Sequence, residues 1–311
     1  MGRKPTAIVR AYPGKDQLTE AFISYQDVRA SSKSLYKRTL NQFFSWVERK
    51  GYSLRDLTRV EILRYKDDLL TSGMSPLTVG SYLTAVRRLY EWVEANRLGP
   101  NIAKGIKTPQ KKQQFKKQPL SEIQGRGLLS HFQDIGGRDY AIINLILHTG
   151  LRTIEVIRGN VEDITHKGEK RVLMVHGKGR DEKDNFVILT PNTYKPIEAY
   201  LRSRGRVKTG EPLFTSRSNN NKGGRLTTRA VSRIAKEGLK DIGLNSREFT
   251  AHSLRHTTAV NILRAGGTLE DAQNVLRHTN PSTTMIYTAT IKEEIRLQRA
   301  PEELLDSIYQ D

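Results

Sequence analysis

The stretch Ala251–Thr290, AHSLRHTTAVNILRAGGTLEDAQNVLRHTNPSTTMIYTAT, decides how the rest of the chain is read. It carries two apolar helical patterns, and around them it sets His252, Arg255, His278 and Tyr287. His252 lies three residues before Arg255, about one helical turn, so both can face a single anion. His256 points roughly 100° away from Arg255 and reads as structural. Tyr287 follows His278 by nine residues, on a helix expected to begin near Pro281-Ser282. Fixed cations, two imidazoles and a late tyrosine suit one chemistry above others: attack of a phenol on a phosphodiester.

Composition agrees with a polyanionic partner. Lys and Arg number 52 against 33 Asp and Glu, for a net charge of +19. Nucleic acid is the first candidate and an anionic membrane surface the second. No apolar run approaches the roughly 18 residues of a membrane span, and the N-terminus MGRKPTAIVR lacks the apolar core of a secretory signal. The absence of cysteine excludes a disulfide framework and every thiolate metal site, and HxxRH lacks the carboxylate spacing of a zincin. No metal or other cofactor is expected.

The 311 residues suffice for two domains. Residues 1–14 read as a basic tail. Over 15–100 the pattern is helical. Tyr36, Leu40, Phe43, Phe44 and Val47 make one apolar stripe, Thr58 and Glu61 form a capping box, and Ser75-Pro76 opens another helix carrying Val79, Leu83, Val86, Tyr90 and Val93. About four helices are expected there. Residues 101–119 lose the period, hold Lys104, Lys107, Lys111, Lys112, Lys116 and Lys117 with no acid, and read as an interdomain linker. Alone, such a block is equally a solvated charge run. Residues 1–120, however, carry 23 basic and 10 acidic side chains, net +13, leaving net +6 for the rest. That excess suits a domain gripping a duplex backbone through this linker together with Arg87 and Arg88. From Leu120 a second domain begins. It contains a helix over Tyr140–His148, strands over Arg171–His176 and Asn185–Thr190 with a GKGRD turn between them, and helices near 191–204, 226–241 and 253–265. The fold class is therefore mainly α with a small antiparallel β-sheet.

Five separated motifs now occur in one order: HTGLRTIE over 148–155, Lys178 in the turn between strands, HSLRH over 252–256, LRHTN over 276–280, and the Tyr287 of MIYT. In this order they resemble the tyrosine recombinase (phage-integrase-type, site-specific recombinase) family in its simple, Xer-like two-domain form. The resemblance runs from about residue 15 to the end. It implies a helical, SAM-like core-binding domain over 15–100 and a mixed α/β catalytic domain over 120–290, together forming a C-shaped clamp on DNA.

Residue by residue, the resemblance implies a site of Arg152, Glu155, Lys178, His252, Arg255, His278 and the nucleophile Tyr287. Arginine supplies planar donors that stay charged at any working pH, as a phosphate gaining charge requires. Tyr287 is to leave a 3′-phosphotyrosine and a free 5′-hydroxyl. His252 assists proton transfer at the tyrosine, and His278 donates to a non-bridging oxygen. Lys178 is the general acid for the departing 5′-oxygen, with Arg180 and Lys183 close enough to compete for that task. Glu155 cannot help an anion directly and is expected to hold Arg152 or His252. One departure stands out: where the family usually has glycine before the second histidine, this chain has Arg277. Either Arg277 adopts a left-handed backbone at a cost of roughly 1 kcal/mol, or the turn is built differently and Arg277 reaches a phosphate.

After Pro301, Leu304, Leu305, Ile308 and Tyr309 share one face of an acidic amphipathic segment. It resembles the helix that family members dock onto a neighbouring protomer; the competing reading is a helix folded back on its own domain. Residues 291–311 are thus expected to be exchanged between protomers of a homotetramer. The expectation is a site-specific DNA recombinase that acts on double-stranded DNA through a Holliday junction and needs neither ATP nor metal. It would act in the cytoplasm, at the nucleoid of a prokaryote or mobile-element host. With only about 14 residues ahead of the first domain, simple inverted core sites are expected. A type IB topoisomerase-like monomer and a catalytically silent DNA-binding protein of the same fold are the competing readings.

Overall fold

A computed structural model of the chain describes residues 14–54, 56–110, 117–176 and 182–278, with single positions at 280, 285, 291, 296, 297 and 308. The expected basic tail before Gly14 and, but for Ile308, the C-terminal segment after Pro301 lie outside the described residues. The chain divides into two compact units, Met1–Gln114 and Phe115–Asp311.

Among its described residues the first unit has four helices, α1 (Lys15–Tyr25), α2 (Ala30–Arg49), α3 (Arg59–Thr71) and α4 (Pro76–Ala95). The apolar stripe of α2 turns inward, with Leu40, Phe43, Phe44 and Val47 buried against Phe22, Ile62, Tyr65, Leu83 and Val86. The N-terminus of α3 is closed by Glu61, whose Oε2 accepts from the Thr58 backbone N–H at 2.8 Å. Ser75 Oγ accepts from the Thr78 N–H at 3.2 Å ahead of Pro76 in α4. Residues 101–108, within the stretch read as a linker, pack onto this bundle: Ala103 and Ile106 belong to its core. Arg59 donates to the Lys104 carbonyl, and Arg87 to the Ile106 carbonyl at 3.3 Å and to Thr108 Oγ1 at 3.1 Å.

Among its described residues the second unit has seven α-helices and a three-stranded sheet. Helices α5 (Glu122–Ile135) and α6 (Gly137–Thr149) lead to the short α7 (Thr153–Arg158). Strands β1 (Ile164–Lys167), β2 (Lys170–Val175) and β3 (Asn185–Ile188) follow, then α8 (Pro191–Ser203), α9 (Thr228–Asp241), α10 (Ala251–Arg264) and α11 (Leu269–Leu276). The sheet is antiparallel in the order β1-β2-β3, pairing Ile164 with Leu173 and Val172 with Ile188. Sequence reading missed β1, because ITHK offers a single apolar residue and no alternation. The core joins Ile142, Ile146, Leu173, Val187, Ile197, Phe214, Val231 and Leu254. Helix α10 is buried from Ser253 through Val260, polar residues included. A helix enclosed almost all round cannot move its side chains freely, and it is the one that carries the HxxR motif.

Candidate active site

The site begins where α6 stops. Gly150 ends that helix in the left-handed conformation (φ 60°, ψ 25°), its N–H donating to the Ile146 carbonyl. A β-carbon there would lie 2.4 Å from Leu276 Cδ2, so both the conformation and the packing demand glycine. Two residues on, Arg152 sits at the start of α7. Its backbone N–H donates to Glu155 Oε2 at 2.8 Å and its Nη1 to Oε1 at 2.7 Å. Glu155 is only 5 % exposed. The carboxylate therefore caps α7 and orients Arg152 in one act.

Helix α10 brings in the second half. His252 is exposed in its first turn, while Arg255, one turn later, is 2 % exposed. Arg255 donates to the Gly150 carbonyl and, at 2.6 Å, to the Leu276 carbonyl, which ties the end of α6 to the end of α11. Its guanidinium stands 4.0 Å from Glu155. Just past α11, Arg277 has φ 54° and ψ 49°, the left-handed backbone that was one of the two expectations. Its side chain turns inward: Nη2 donates to Glu155 Oε2 at 2.9 Å and Nη1 to the Val275 carbonyl at 2.6 Å. Three arginines thus surround one carboxylate. His278 follows directly and is buried, with its N–H on the Gln273 carbonyl at 3.1 Å.

Electrostatics follow from that crowding. Burial pushes the Glu155 carboxyl up, but Arg277, the Arg152 backbone N–H and the Arg152 and Arg255 charges together hold it below the usual range. Burial, then Arg255, Arg152 and Arg277, lower His278 to about 4. Burial lowers His256 to about 4 as well, and burial with Arg255, Arg152 and Lys117 lowers His252. The imidazoles are accordingly neutral at pH 7 and can donate from one ring nitrogen while accepting at the other.

Of these groups Arg152, His252 and Arg255 line a cleft of about 850 Å³ together with Lys117, Lys236 and Arg247, and among the described residues no carboxylate lies in its wall. Lys117 donates to the Arg247 carbonyl at 2.6 Å, and Lys236 to the Asn245 and Ser246 carbonyls at 3.1 and 2.6 Å, so two lysines fix the loop before α10. Sequence reading did not single out Lys236 or Arg247. The available signal was the polar run Asn245–Glu248 immediately ahead of the HxxR helix.

Of the expected site residues, the structure brings together Arg152, Glu155, His252, Arg255 and His278. Lys178 and Tyr287 lie outside the described residues, as do Arg180, Lys111, Lys112 and Lys116. Lys183 is described and donates to the buried Asp163 at 2.5 Å. In the first unit Lys104 and Lys107 are exposed, Arg87 donates to the Ile106 carbonyl and to the Thr84 and Thr108 hydroxyls, and Arg88 pairs with Glu91 at 3.0 Å. Among the described residues no helix is long and apolar enough to cross a membrane.

Comparison with known proteins places these features in context. The profile of the phage integrase family matches residues 119–294. The tyrosine recombinase XerA of Pyrococcus horikoshii is 27% identical over 94% of this chain and 95% of its own. XerC of Pelobacter propionicus is 30% identical over 81% and 82% of the two chains, and XerD of Bradyrhizobium diazoefficiens 26% over 93% and 96%. Among solved structures, the XerH recombinase in a post-cleavage complex with its palindromic difH substrate covers 95% of this chain and 87% of its own, at TM-score 0.72 and 20% identity. A lambda integrase dimer on a core site covers 86% and 95%, at TM-score 0.66 and 15% identity. At such identities the structural likeness is one of fold.

Proposed function

The chain belongs to the phage integrase family, and on that premise we propose that it recombines double-stranded DNA at specific sites with Tyr287 as nucleophile. It is a tyrosine recombinase, a DNA breaking and rejoining enzyme that uses no ATP. The observation that supports the assignment of the site is the joint placement of Arg152, Arg255 and His252 in a cleft whose described lining residues include no carboxylate, with Glu155 buried beside them.

The chemistry follows from those groups. A scissile phosphate in the cleft meets the guanidinium of Arg152 and the first turn of α10, and the negative charge developing on its non-bridging oxygens is met by cations already in place. The Tyr287 oxygen attacks phosphorus and its proton passes to His252, which is neutral at working pH and so able to accept it. The bond to the 5′-oxygen breaks, and Lys178 supplies the proton that makes it a 5′-hydroxyl. The product is a 3′-phosphotyrosine that retains the energy of the broken ester. Attack by a 5′-hydroxyl from a second duplex reverses the step and yields a Holliday junction. Lys183 does not compete for the acid's role in this scheme, since Asp163 holds it.

Lys104, Lys107, Lys117 and Arg88 are proposed to contact phosphates, with Lys111, Lys112 and Lys116 continuing the same basic stretch. The reactive assembly is proposed to be a homotetramer joined through the C-terminal segment 291–311, acting at the nucleoid. The competing readings, a topoisomerase-like monomer and a silent DNA binder, are not favoured: relatives spanning nearly the whole chain are named recombinases.

The test is Tyr287→Phe on a nicked duplex that lets the cut fragment diffuse away. The parent accumulates covalent protein–DNA and the variant none; trapping by the variant would remove Tyr287 from its role. Lys178→Met should be slow on ordinary DNA and recover when sulfur replaces the bridging 5′-oxygen, because a thiolate leaves without a proton.

A further inference from the structure

Arg277 has a backbone that glycine adopts more readily, and yet it carries a long charged side chain into the protein. Among the described residues only Arg97 and Arg277 are non-glycine with positive φ. The left-handed conformation crowds Cβ against the following carbonyl, so local stability favours glycine. Something in the tertiary structure must offset that strain. The side chain shows what: it is 9 % exposed, reaches 122 residues back in sequence, and donates to Glu155 Oε2 at 2.9 Å.

We propose that Arg277 is a positioning residue for strand cleavage: it neutralises Glu155 from outside the cleft, leaves the charges of Arg152 and Arg255 to the phosphate, and locks the His278 turn to the start of α7. The proposal rests on the reading of this cleft as the recombinase site.

The charge count makes the case. Arg152, Arg255 and Glu155 alone would sum to one positive charge, because the carboxylate that orients Arg152 also cancels it. Arg277 raises the sum to two without entering the cleft, whose wall contains Arg152 and Arg255 but not Arg277. Of the single interactions that stabilise the Glu155 carboxylate, the charge of Arg277 is the largest, ahead of the Arg152 N–H and the Arg152 and Arg255 charges taken one by one. The groups facing that carboxylate are Arg152 from the start of α7, Arg255 from α10 and Arg277 from the turn after α11. The mechanical part is as direct. Residues 276 and 277 are each tied to the α6–α7 turn, Leu276 through Arg255, which donates to its carbonyl and to that of Gly150, and Arg277 through Glu155 to Arg152. His278 is the next residue, so its position is fixed by those two ties.

The experiment compares the full chain with Arg277→Gly and Arg277→Lys. The substrate is a nicked duplex spanning the DNA that the protein protects from nuclease. Arg277→Gly relieves the backbone, so its melting temperature should stay within about 3 °C of the parent. Its Kd for the duplex should change by less than about threefold, while covalent trapping at saturating protein slows about 10- to 100-fold. Arg277→Lys keeps the charge and should regain most of the lost rate, which a role in packing alone would not produce. Parent-like trapping by Arg277→Gly overturns the proposal, as does a loss explained wholly by weaker binding or lower stability. Failure of the underlying reading looks different: the parent would then trap no DNA, or would trap it with Tyr287→Phe.

Discussion

Replacing Glu155 by Gln probes the point on which the whole cleft rests. Glu155 is 5 % exposed and accepts from the Arg152 N–H, Arg152 Nη1 and Arg277 Nη2 at 2.8, 2.7 and 2.9 Å. Glutamine keeps one acceptor oxygen but presents an NH2 group to a site ringed by N–H donors. Removing one partner of a buried ion pair costs about 3–5 kcal/mol, because the charges left behind are uncompensated. The retained oxygen and the partial solvation of Arg152, 27 % exposed, place Glu155→Gln near the low end, about 3 kcal/mol. For a unit of this size that lowers the melting temperature by about 6–12 °C. Calorimetry should see this in the transition of the second unit, which holds Glu155. The pH dependence adds a sign. The folded carboxyl lies below its ordinary value of 4.5, so its contribution is complete above that pH and is lost as pH falls through the folded value. The gap between parent and variant should therefore be widest near neutrality and close below about pH 4.5. A variant that melts with the parent at pH 7, or a gap that widens in acid, would refute the account of Glu155 as a paired, buried anion.

Three further outcomes are expected. Gly150→Ala puts a methyl 2.4 Å from Leu276 Cδ2 on a left-handed backbone; it should cost about 2 kcal/mol or more and slow cleavage, since the same carbonyl holds Arg255, and an unchanged melt would count against it. His256 and His278 are held near 4 in the folded protein, so stability is full above about 6.5 and declines toward 4 as the unfolded chain takes up protons that the fold refuses. Chemical denaturation across that range should show the decline, and His256→Gln should flatten it. Arg247, exposed on the cleft wall, should contribute one phosphate contact. Arg247→Ala would then reduce the slope of log affinity against log salt by about 0.9, and an unchanged slope would remove Arg247 from the DNA surface.

The helices were legible because their information is local. The α2 stripe, the Thr58–Glu61 box and the Ser75-Pro76 start each sit within one or two turns of chain, and each appears where expected. Burial across long separations was not. Nothing in the period of residues 101–108 announces that Ala103 and Ile106 complete the first core, since two apolar residues in a basic stretch fit a loop as well. Lys236, on α9, and Arg247, in the loop before α10, line one cleft because that loop is held by lysine-to-carbonyl bonds without a sequence pattern.

By itself the sequence determined the chemistry available: which residue types stand in which order, that arginines, histidines and a tyrosine serve a phosphodiester, and that Glu155 must serve another side chain. Only the tertiary structure decided which side chains that carboxylate serves. Arg277 could have faced solvent and a phosphate from the same left-handed turn. It faces inward because α7 and the end of α11 meet there, 122 residues apart in sequence, and a buried carboxylate recruits every guanidinium within reach. Such pairings depend on how helices pack and on the cost of leaving charge unpaired in a core, and neither is written in the spacing of residues along one helix.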